Sequence, residues 1–597
     1  MGDGIRGIVG LVLPFLPEGQ IKNRFRYREC LALGYLTSSL ERAGYQVVSI
    51  NAELRDLSVA QVVEELLSHA PFLVGLSISS QRGYKAAKEL AQAVKAADRD
   101  IHITCGGILP SSWSSSILSD SAHIDSVVRG EGEDAIVELA DAIRSARPIN
   151  TVLGLSHRAG ASIQENAARH RQMDLSSAPP PARNDLEYIV STGRTVSSAY
   201  MVSSRGCYAK CSFCSIHQIY GDHLVARRKP DDIVEEMRTL QDRFDVHRFS
   251  FVDDLFLMPS RAGIRWIHEF CNSLEQANLG IRFYAEIRAD TVEPILMRRL
   301  ISVGLDRIFL GLEAGVDSIL ARLDKGTTVA QNEKAIVVLR DEVGLRPEDI
   351  KCGYIMFEPE MTFAELKDQY RWIRASGICR VQHLQNRLNI YWGTPIFEKM
   401  KRRGLTDTAP FAERWFYNFD DHRVAQFEAS TRRFLRQMDQ AQLLNGTIAA
   451  KARFREETLE RDQSATPRAV MDVFRDGHTY LEQQERECWY LAFDTFFSIL
   501  DRNVEITPSD EAALWDDLSQ IRRTLVIAAQ VVSGIADFLA QCRSVRVGQE
   551  QSIALNWRIR PDHAVEVALR TPEVTANVSS LPGFVPRDCF DNSFRIH

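Results

Sequence analysis

The chain has 597 residues, of which 45% are hydrophobic and 25% are charged, and its formal net charge is −7. This length predicts roughly two to four domains, and the weak negative charge argues against a dedicated nucleic-acid surface. No apolar run approaches the length of a membrane span, and the sequence opens without a secretory pattern. We therefore expect a globular protein whose partners include neither nucleic acid nor membrane.

Residues 1–148 predict an α/β domain. Apolar segments typical of buried strands alternate with helical stretches, such as the one from about Glu29 to Ala43. The strand segments are residues 7–14, 46–50, 72–79, 101–107 and 126–133. This alternation predicts a doubly wound, Rossmann-like parallel sheet.

Small and polar residues follow two of these strands. Ser77 and Ser79 end the third strand, and Gly106 and Gly107 end the fourth. Ligands of doubly wound sheets bind outside the carboxyl ends of the strands, and small residues there let the backbone approach a bulky ligand closely. We therefore expect a ligand site at this edge of the sheet.

Residues 149–195 are predicted to be a linker. Residues 179–181 are three consecutive prolines, which favour an extended chain. The next predicted domain covers residues 196–409.

Three cysteines lie on one short segment of that domain. Cys207, Cys211 and Cys214 form a C-x3-C-x2-C pattern. Three such thiolates can bind three irons of a cubane iron–sulfur cluster and leave the fourth iron open to a substrate or cofactor. The alternative is a structural zinc site, for which His217 is the nearest candidate fourth ligand. The chain has 11 cysteines in all, and we expect the scattered remainder to be buried small apolar residues.

After the cysteines, the sequence predicts repeated strand–helix units. A helix begins near Pro230, where two aspartates follow at the positive end of the helix dipole. The predicted strands are residues 248–254, 281–286, 307–313, 351–357 and 387–391. This repetition predicts a partial, TIM-like βα barrel, in which polar residues at the carboxyl ends of strands are more often catalytic than structural.

Residues 410–597 predict a mostly helical domain. Residues 432–455 and 511–542 have the pattern of amphipathic helices. Residues 552–559 and 564–569 predict a small hairpin. We expect this domain to close the barrel and shape a substrate pocket.

The cysteine segment resembles the radical S-adenosylmethionine (SAM) superfamily. The resemblance lies in Ser212-Phe213-Cys214 at the end of the cysteine pattern and in Arg205-Gly206 just before it. It implies that Cys207, Cys211 and Cys214 ligate a [4Fe-4S] cluster, whose open iron chelates the amino and carboxylate groups of SAM. It also implies that Phe213 flanks the adenine.

The predicted strand ends resemble the branch of that superfamily that carries cobalamin domains. The matching stretches are residues 251–254, 285–290, 311–315 and 353–359. The resemblance implies that Arg288 and Glu313 hold the polar ends of SAM and that Asp253 lies near the cluster. It places Tyr354, a candidate catalytic residue, and Ile355 in the segment that contacts adenine, although Phe357 replaces the usual glycine there.

The first 150 residues are similar to the cobalamin-binding domain often fused ahead of radical SAM cores. The similarity rests on the order of the elements, on Gly106-Gly107 and on the segment that contains Gly130 and Glu131. Residues 14–20 lack the Asp-x-His-x-x-Gly pattern whose histidine ligates cobalt. Bound cobalamin would then lack a histidine on its lower face, and Gln81 and Arg82 are candidates to lie there. The alternatives are that Arg82 is an ordinary loop residue and that the domain binds no cobalamin.

The resemblance implies a cobalamin-dependent radical SAM methyltransferase. SAM would supply a methyl group, by way of methylcobalamin, to a carbon of a small molecule or natural-product precursor. The layout and the absent histidine also resemble the tryptophan methyltransferases of thiopeptide antibiotic biosynthesis, which makes indole carbon 2 a candidate acceptor. The alternatives are a radical rearrangement, ring contraction, dehydration or sulfur insertion without methylation, and a non-enzymatic cobalamin or cluster sensor.

Glu286 has two possible roles in that scheme. Its carboxylate could bond SAM, or it could reach the open iron and suppress reductive cleavage of SAM, so that methyl transfer is polar. The resemblance further implies a reductase partner such as flavodoxin or ferredoxin. A reducing cytoplasm fits both the free thiols and an oxygen-sensitive cluster.

Overall fold

A computed structural model describes residues 6–15, 29–160, 162–406, 417–440, 468–502, 504–519, 554–559 and 565–570. The chain divides into two compact units. The first unit contains Met1–Tyr354 and Leu388–Asn418, and the second contains Ile355–Arg387 and Phe419–His597. Both α/β domains predicted from the sequence contribute their sheets to the first unit.

The first sheet has seven strands in the order β2-β1-β3-β4-β5-β6-β7. Its strands are β1 (Ile8–Leu13), β2 (Gln46–Asn51), β3 (Leu73–Ser77), β4 (His102–Gly106), β5 (Ser126–Val128), β6 (Leu155–Ala159) and β7 (Ser162–Glu165). Strands β1 to β5 are parallel, which confirms the doubly wound prediction. The order 2-1-3-4-5 places the topological switch point between β1 and β3, where such sheets bind their ligands.

Six helices accompany this sheet. They are α1 (Leu31–Arg42), α2 (Ala52–Arg55), α3 (Val59–Ser68), α4 (Gln81–Ala97), α5 (Ile108–Asp120) and α6 (Glu133–Arg144). The core between sheet and helices is apolar, with Leu11 and Leu73 from the strands packed among Leu40 of α1 and Leu139 of α6. Burial of these side chains stabilises the domain by about 25 cal/mol for each Å² of apolar surface removed from water.

The segment 149–195 differs from the predicted linker. It carries β6 and β7, which pair antiparallel and extend the first sheet at its β5 edge. It also carries the helix α7 (Asn184–Ser191). The proline run covers only residues 179–181, which have no regular secondary structure. The buried half of β6 has a strand pattern that the linker prediction overlooked.

The second sheet has five parallel strands in the order β14-β13-β12-β11-β8. These strands are β8 (Ala199–Met201), β11 (Arg248–Phe251), β12 (Arg282–Arg288), β13 (Leu305–Glu313) and β14 (Ile350–Tyr354). Two short strands, β9 (Ser204–Arg205) and β10 (Ala226–Arg227), form an antiparallel pair beside it. A parallel sheet with intervening helices confirms the partial βα barrel. The predicted strand at 387–391 is absent, and only an isolated bridge joins Arg387 to Phe357.

The helices of this part of the first unit follow the strands in sequence. They are α8 (Ile216–Tyr220), α9 (Pro230–Phe244), α10 (Arg261–Ala277), α11 (Pro294–Ser302), α12 (Asp317–Arg322), α13 (Val329–Val337) and α16 (Pro395–Arg402). An aromatic core packs α10 against the sheet. Phe251 of β11 lies 5.7 Å from Phe283 of β12 and 5.8 Å from Phe270 of α10, measured between ring centroids. This packing fixes the end of β11, just before Asp253 and Asp254.

The second unit is mostly helical, as predicted. Its helices are α14 (Phe363–Ala375), α15 (Val381–Gln385), α17 (His422–Gln440), α18 (Arg468–Asp501) and α19 (Pro508–Asp517). The predicted hairpin is confirmed as β15 (Ala554–Ile559) paired antiparallel with β16 (Val565–Arg570). The later parts of the two predicted helices, residues 441–455 and 520–542, lie outside the described residues. None of the helices in the described part of the chain is long and apolar enough to cross a bilayer.

A buried ion cluster joins the two sheets within the first unit. Arg183 donates to Glu29 Oε2 at 2.7 Å, to Glu236 Oε1 at 2.5 Å and to the carbonyl oxygen of Tyr200 at 3.0 Å. Glu29 precedes α1, Tyr200 belongs to β8 and Glu236 to α9. Because all three charged side chains are almost fully buried, removing one partner leaves an uncompensated charge away from water.

We predict that Arg183→Met lowers the free energy of unfolding by about 3–5 kcal/mol, because it strands the buried carboxylate of Glu29 and leaves Glu236 with Arg228 as its partner. The matched control is Arg238→Met on α9, whose ion pair with Glu235 is exposed on both sides and should contribute less than about 1 kcal/mol. Urea unfolding of both variants measures the difference. Equal stability of the two variants would contradict the assigned role of the cluster.

Candidate active site

The cysteine loop lies between β9 and α8, directly after the first strand of the second sheet. All three cysteines are free thiols, with Cys211 buried and Cys207 and Cys214 partly exposed. Phe213, between the last two cysteines, is half-buried. The backbone N–H of Ser212 donates to the carbonyl of Leu323 at 2.9 Å, which holds the middle of the loop against the segment after α12.

The start of the loop requires a glycine. Gly206 has a φ of +90°, and a Cβ there would collide with the carbonyl oxygen of Leu224 and lie 2.9 Å from an Arg171 guanidinium nitrogen. Its backbone N–H donates to Asp254 Oδ2 at 2.7 Å. Gly206 therefore lets the chain turn tightly into the cysteines while Asp254 fixes the direction of that turn.

Burial controls the protonation of the loop thiols. It raises the pKa of Cys207 above its ordinary value and the pKa of Cys214 to about 11. The neighbouring thiols and Asp254 add to the rise for both, so the cysteines and this carboxylate lie within electrostatic reach of one another. Binding iron as thiolates must therefore release protons from this loop.

The donor set fits a cubane cluster. In the part of the chain that the structure describes, no three His, Cys, Asp or Glu side chains converge closely enough to hold one metal ion. Three thiolates on one short loop are the donors that a cubane iron–sulfur cluster takes, one for each of three irons. His217 donates through Nδ1 to the carbonyl oxygen of Asp222 at 3.1 Å, and its ring packs 4.1 Å from that of His223.

The two aspartates at the end of β11 have different surroundings. Asp253 is buried, 2% exposed, and accepts from the backbone N–H and the hydroxyl of Ser203. Burial outweighs these hydrogen bonds and raises the pKa of Asp253 to about 6. Asp254 instead contacts Gly206 and accepts from the Tyr220 hydroxyl. The placement of Asp253 near the cluster side stays a prediction, and the structure adds Asp254 as a carboxylate that bonds the cysteine loop.

Glu286 lies on the same face of β12 as Arg288. The Tyr284 hydroxyl donates to Glu286 Oε1 at 3.1 Å, and burial raises the pKa of the Glu286 carboxyl. Asp254 raises that pKa further, so the two carboxyls lie in one electrostatic neighbourhood. Residues i and i+2 of a strand lie on the same face, about 6.7 Å apart. Arg288 Nη1 is 3.6 Å from Cys211 Sγ, so this face of β12 is the one next to the cysteine loop. This register brings Glu286 to the side of the strand that faces the cysteine loop.

Arg288 and Glu313 are joined through Lys325. Arg288 donates to the backbone carbonyl of Lys325 at 2.8 Å, and Lys325 Nζ lies 2.9 Å from Glu313 Oε1. Glu313 has a φ of +65°, a left-handed conformation that is costly for a residue with a side chain. The buried ion pair with Lys325 holds the carboxylate in place there. Lys325 was not predicted, and its position after α12 carries no local signal.

Tyr354 and Ile355 fall on either side of the division between the two units. Tyr354 is the last residue of β14 and is 2% exposed. Within the second unit, the Ile355 carbonyl oxygen accepts from Gln369 Nε2 at 2.9 Å, and Phe357 packs 6.2 Å from Phe427. Part of the predicted adenine-contact segment is therefore engaged in the packing of the second unit.

The carboxyl edge of the first sheet presents the expected small residues. Ser79, Arg82 and Gly107 are exposed, and Ser77, Gln81 and Gly106 are partly exposed. Gln81 and Arg82 begin α4, which Ser80 caps by accepting from the N–H of Gly83. Ile108, beside Gly107, is 44% exposed, an apolar surface at the same edge. This combination of small, polar and exposed apolar groups suits a large amphipathic ligand.

Gly107 has a second reason to be glycine. Its φ is +116°, and a Cβ there would lie 2.5 Å from the carbonyl oxygen of Ile78. At Gly106 a Cβ would make only ordinary contacts with Val128. Gly107 therefore serves the close packing of the segment after β3 against the start of α5 as well as the open edge.

Glu131 faces the cysteine loop. Arg205, two residues before Cys207, donates to Glu131 Oε1 at 3.2 Å and to Glu133 Oε1 at 2.6 Å. A second contact joins Ser112 Oγ of α5 to Gln218 Oε1 of α8 at 3.0 Å. The carboxyl edge of the first sheet and the cysteine loop thus meet directly. The sequence identified Arg205 and Glu131 separately, but nothing in it indicates that they pair.

Comparisons with known proteins agree with this organisation. Residues 29–140 match the B12 binding domain family, and residues 201–373 match the radical SAM superfamily. The chain is 29% identical over 350 residues to an anaerobic magnesium-protoporphyrin IX monomethyl ester cyclase of Rubrivivax gelatinosus. That alignment covers 57% of this chain but only 61% of the relative.

Two solved structures share the fold. The cobalamin-dependent SAM radical enzyme OxsB, with aqua-cobalamin and SAM bound, matches with a TM-score of 0.66 and 18% identity, over 90% of this chain and 80% of its own. The radical SAM methyltransferase TsrM of Kitasatospora setae, with tryptophan and a SAM analogue bound, matches with a TM-score of 0.54 and 18% identity, over 67% and 79%. The chain therefore carries a B12-binding domain ahead of a radical SAM domain, and its fold is similar to that of these two cobalamin and radical SAM enzymes.

Proposed function

We propose that this enzyme transfers a methyl group from SAM, by way of cobalamin, to a carbon atom of a small molecule. The observation that carries the proposal is the pairing of Arg205 with Glu131 and Glu133. It brings the cysteine loop to the ligand-binding edge of the first sheet. Transfer through cobalt requires one SAM molecule to lie within reach of both cofactors, and such positioning is a large part of catalysis.

The chain offers residues for each cofactor. Cys207, Cys211 and Cys214 hold the [4Fe-4S] cluster. The Lys325–Glu313 pair fixes a carboxylate that would hold the SAM amino group, and the half-buried Phe213 would lie against the adenine. The cluster takes its electrons from a reductase such as flavodoxin or ferredoxin.

The first sheet offers the cobalamin site. Ser77, Ser79, Gly106 and Gly107 would border bound cobalamin, and Arg82, exposed at the start of α4, would lie beside its lower face. The only histidine before β3 is His69, which is the exposed C-cap of α3, at the amino end of β3 and away from the ligand edge. Cobalamin, when bound, supplies a cobalt centre that accepts and donates the methyl group, and we propose that it does so without a histidine ligand.

The net reaction releases a proton from the acceptor carbon. SAM and the acceptor C–H become S-adenosylhomocysteine, a C–CH₃ group and H⁺. Asp254 and Glu286 are the nearby carboxyls, and burial raises the pKa of each. A carboxylate with a raised pKa is a stronger base, so these residues are suited to take the proton. Tryptophan, the substrate present in the TsrM structure, is the first acceptor to test.

A second candidate function is a radical reaction without methyl transfer. The relative that is a cyclase favours it. The two functions differ in their products. Methyl transfer yields S-adenosylhomocysteine, whereas radical initiation without methylation yields 5′-deoxyadenosine from each SAM cleaved.

We predict that the enzyme, reconstituted anaerobically with iron, sulfide and cobalamin, moves the labelled methyl of ¹³C-methyl-SAM to tryptophan or a related indole. Mass spectrometry measures the labelled product and S-adenosylhomocysteine. Cys211→Ala should abolish turnover, while Cys271→Ala, a buried cysteine of α10, should retain it. Formation of 5′-deoxyadenosine without labelled product supports the second function, and absence of SAM consumption supports a sensor.

We predict a distinct spectroscopic result for Glu286. If its carboxylate reaches the open iron, the electron paramagnetic resonance (EPR) spectrum of the reduced cluster does not change when SAM is added. Glu286→Ala then opens that iron, and its spectrum becomes SAM-dependent. The matched control is Glu275→Ala, an exposed carboxylate of α10 paired with Arg299, which leaves the cluster as in the wild type. A SAM-dependent spectrum in the wild type would rule out this ligation and leave Glu286 as a base or SAM contact.

A further inference from the structure

Arg288 is one of the most heavily engaged side chains near the cysteine loop. Its Nε donates to Asp290 Oδ1 at 2.9 Å, and its Nη2 donates to Asp290 Oδ2 at 3.3 Å and to the Lys325 carbonyl at 2.8 Å. Its Nη1 donates to Cys211 Sγ at 3.6 Å. These four hydrogen bonds use four of the five N–H groups of a guanidinium.

The surroundings of Arg288 fix its geometry. Its side chain is only 8% exposed, and its guanidinium lies 5.5 Å from the centre of the Tyr208 ring. The Tyr208 hydroxyl donates to Asp290 Oδ2 at 3.1 Å. Arg288 and Asp290 therefore clamp the cysteine loop at two points, the ring of Tyr208 and the sulfur of Cys211.

We propose that Arg288 sets the reduction potential of the iron–sulfur cluster through its hydrogen bond to Cys211, and that Asp290 limits the effect by compensating its charge. This inference rests on the proposed cluster, but it gives Arg288 a role other than holding SAM. Hydrogen bonds to the ligating sulfurs and the net local charge are among the factors that set cluster potentials.

The direction of the effect follows from charge. One-electron reduction adds a negative charge that is shared by the cluster and its thiolates. A buried cation donating to one of those sulfurs stabilises the reduced state more than the oxidised state, which makes reduction easier. Asp290 opposes this effect, because its negative charge lies against the same guanidinium.

The two residues therefore act in opposite directions. Arg288→Gln removes the cation and should lower the equilibrium constant for one-electron reduction by roughly tenfold, about 59 mV. Asp290→Asn keeps the shape of the side chain and an oxygen to accept from Tyr208, but it removes the compensating charge. It should shift the same equilibrium toward the reduced cluster. A purely structural role for this pair would not give shifts of opposite sign.

The experiment is an anaerobic titration with dithionite, which supplies the electron, in the absence of SAM. The EPR signal of the reduced cluster measures the extent of reduction at each step. Omitting SAM separates tuning of the potential from binding of SAM. If Arg288 acted only by holding SAM, the potentials measured without SAM would not change in the variants. The matched control is Arg298→Gln, an exposed arginine of α11, whose potential should equal that of the wild type. Iron and sulfide analysis establishes that each protein carries its cluster.

Opposite shifts in Arg288→Gln and Asp290→Asn support the proposal. An unchanged potential in a cluster-loaded Arg288→Gln, or shifts of the same sign in both variants, would overturn it. If Arg288→Gln fails to hold iron, Asp290→Asn decides, since a raised potential supports the proposal and an unchanged one contradicts it. A wild-type chain that binds no cluster would instead refute the proposed function and this inference with it.

Discussion

Arg205 connects the cysteine loop to the first sheet through two carboxylates, Glu131 and Glu133, and its guanidinium also lies over the ring of Tyr35. All the charged partners are largely shielded from water. Burial alone would raise the pKa of Glu133, but the charge and hydrogen bond of Arg205 hold it below its ordinary value. Breaking such a buried pair strands a charge, so the contact between loop and sheet is specific as well as stabilising. The adjacency of the two cofactor sites depends on it.

The polar groups around the cysteine loop form two sets with different tasks. Arg288, Asp290, Lys325 and Glu313 form a chain of hydrogen bonds in which every charge has an opposite partner, and this pairing fixes the loop and the left-handed backbone of Glu313. Asp254 and Glu286 have raised pKa values because burial is only partly offset by their hydrogen bonds. The first set is suited to hold the cysteine loop and to tune the proposed cluster. The second set is suited to move a proton, and Glu286 alone is the candidate to ligate iron.

Local patterns predicted much of this architecture. Apolar runs located β1 to β5 and β11 to β14, because strands buried on both faces are nearly all apolar. The spacing of three cysteines on one loop predicted the proposed cluster site, because all three proposed ligands are local in sequence. Contacts between distant segments had no such signal. Three features depend on tertiary packing: the pairing of Arg205 with Glu133, the hydrogen bond of Asp254 to Gly206, and the strands β6 and β7 in a segment marked by prolines. The predicted strand at 387–391 failed for the same reason, since a short apolar run does not specify a pairing partner.

The central claim is that the cluster and cobalamin occupy neighbouring sites within one unit of the chain. Both centres become paramagnetic under reducing conditions, as the reduced cluster and as cob(II)alamin, so their separation can be measured directly. EPR of the enzyme loaded with both cofactors, compared with samples that hold only one, reports the magnetic interaction between the two spins. Our account predicts clear broadening or splitting of the cob(II)alamin signal when the cluster is reduced. Two independent spectra that simply add would contradict it.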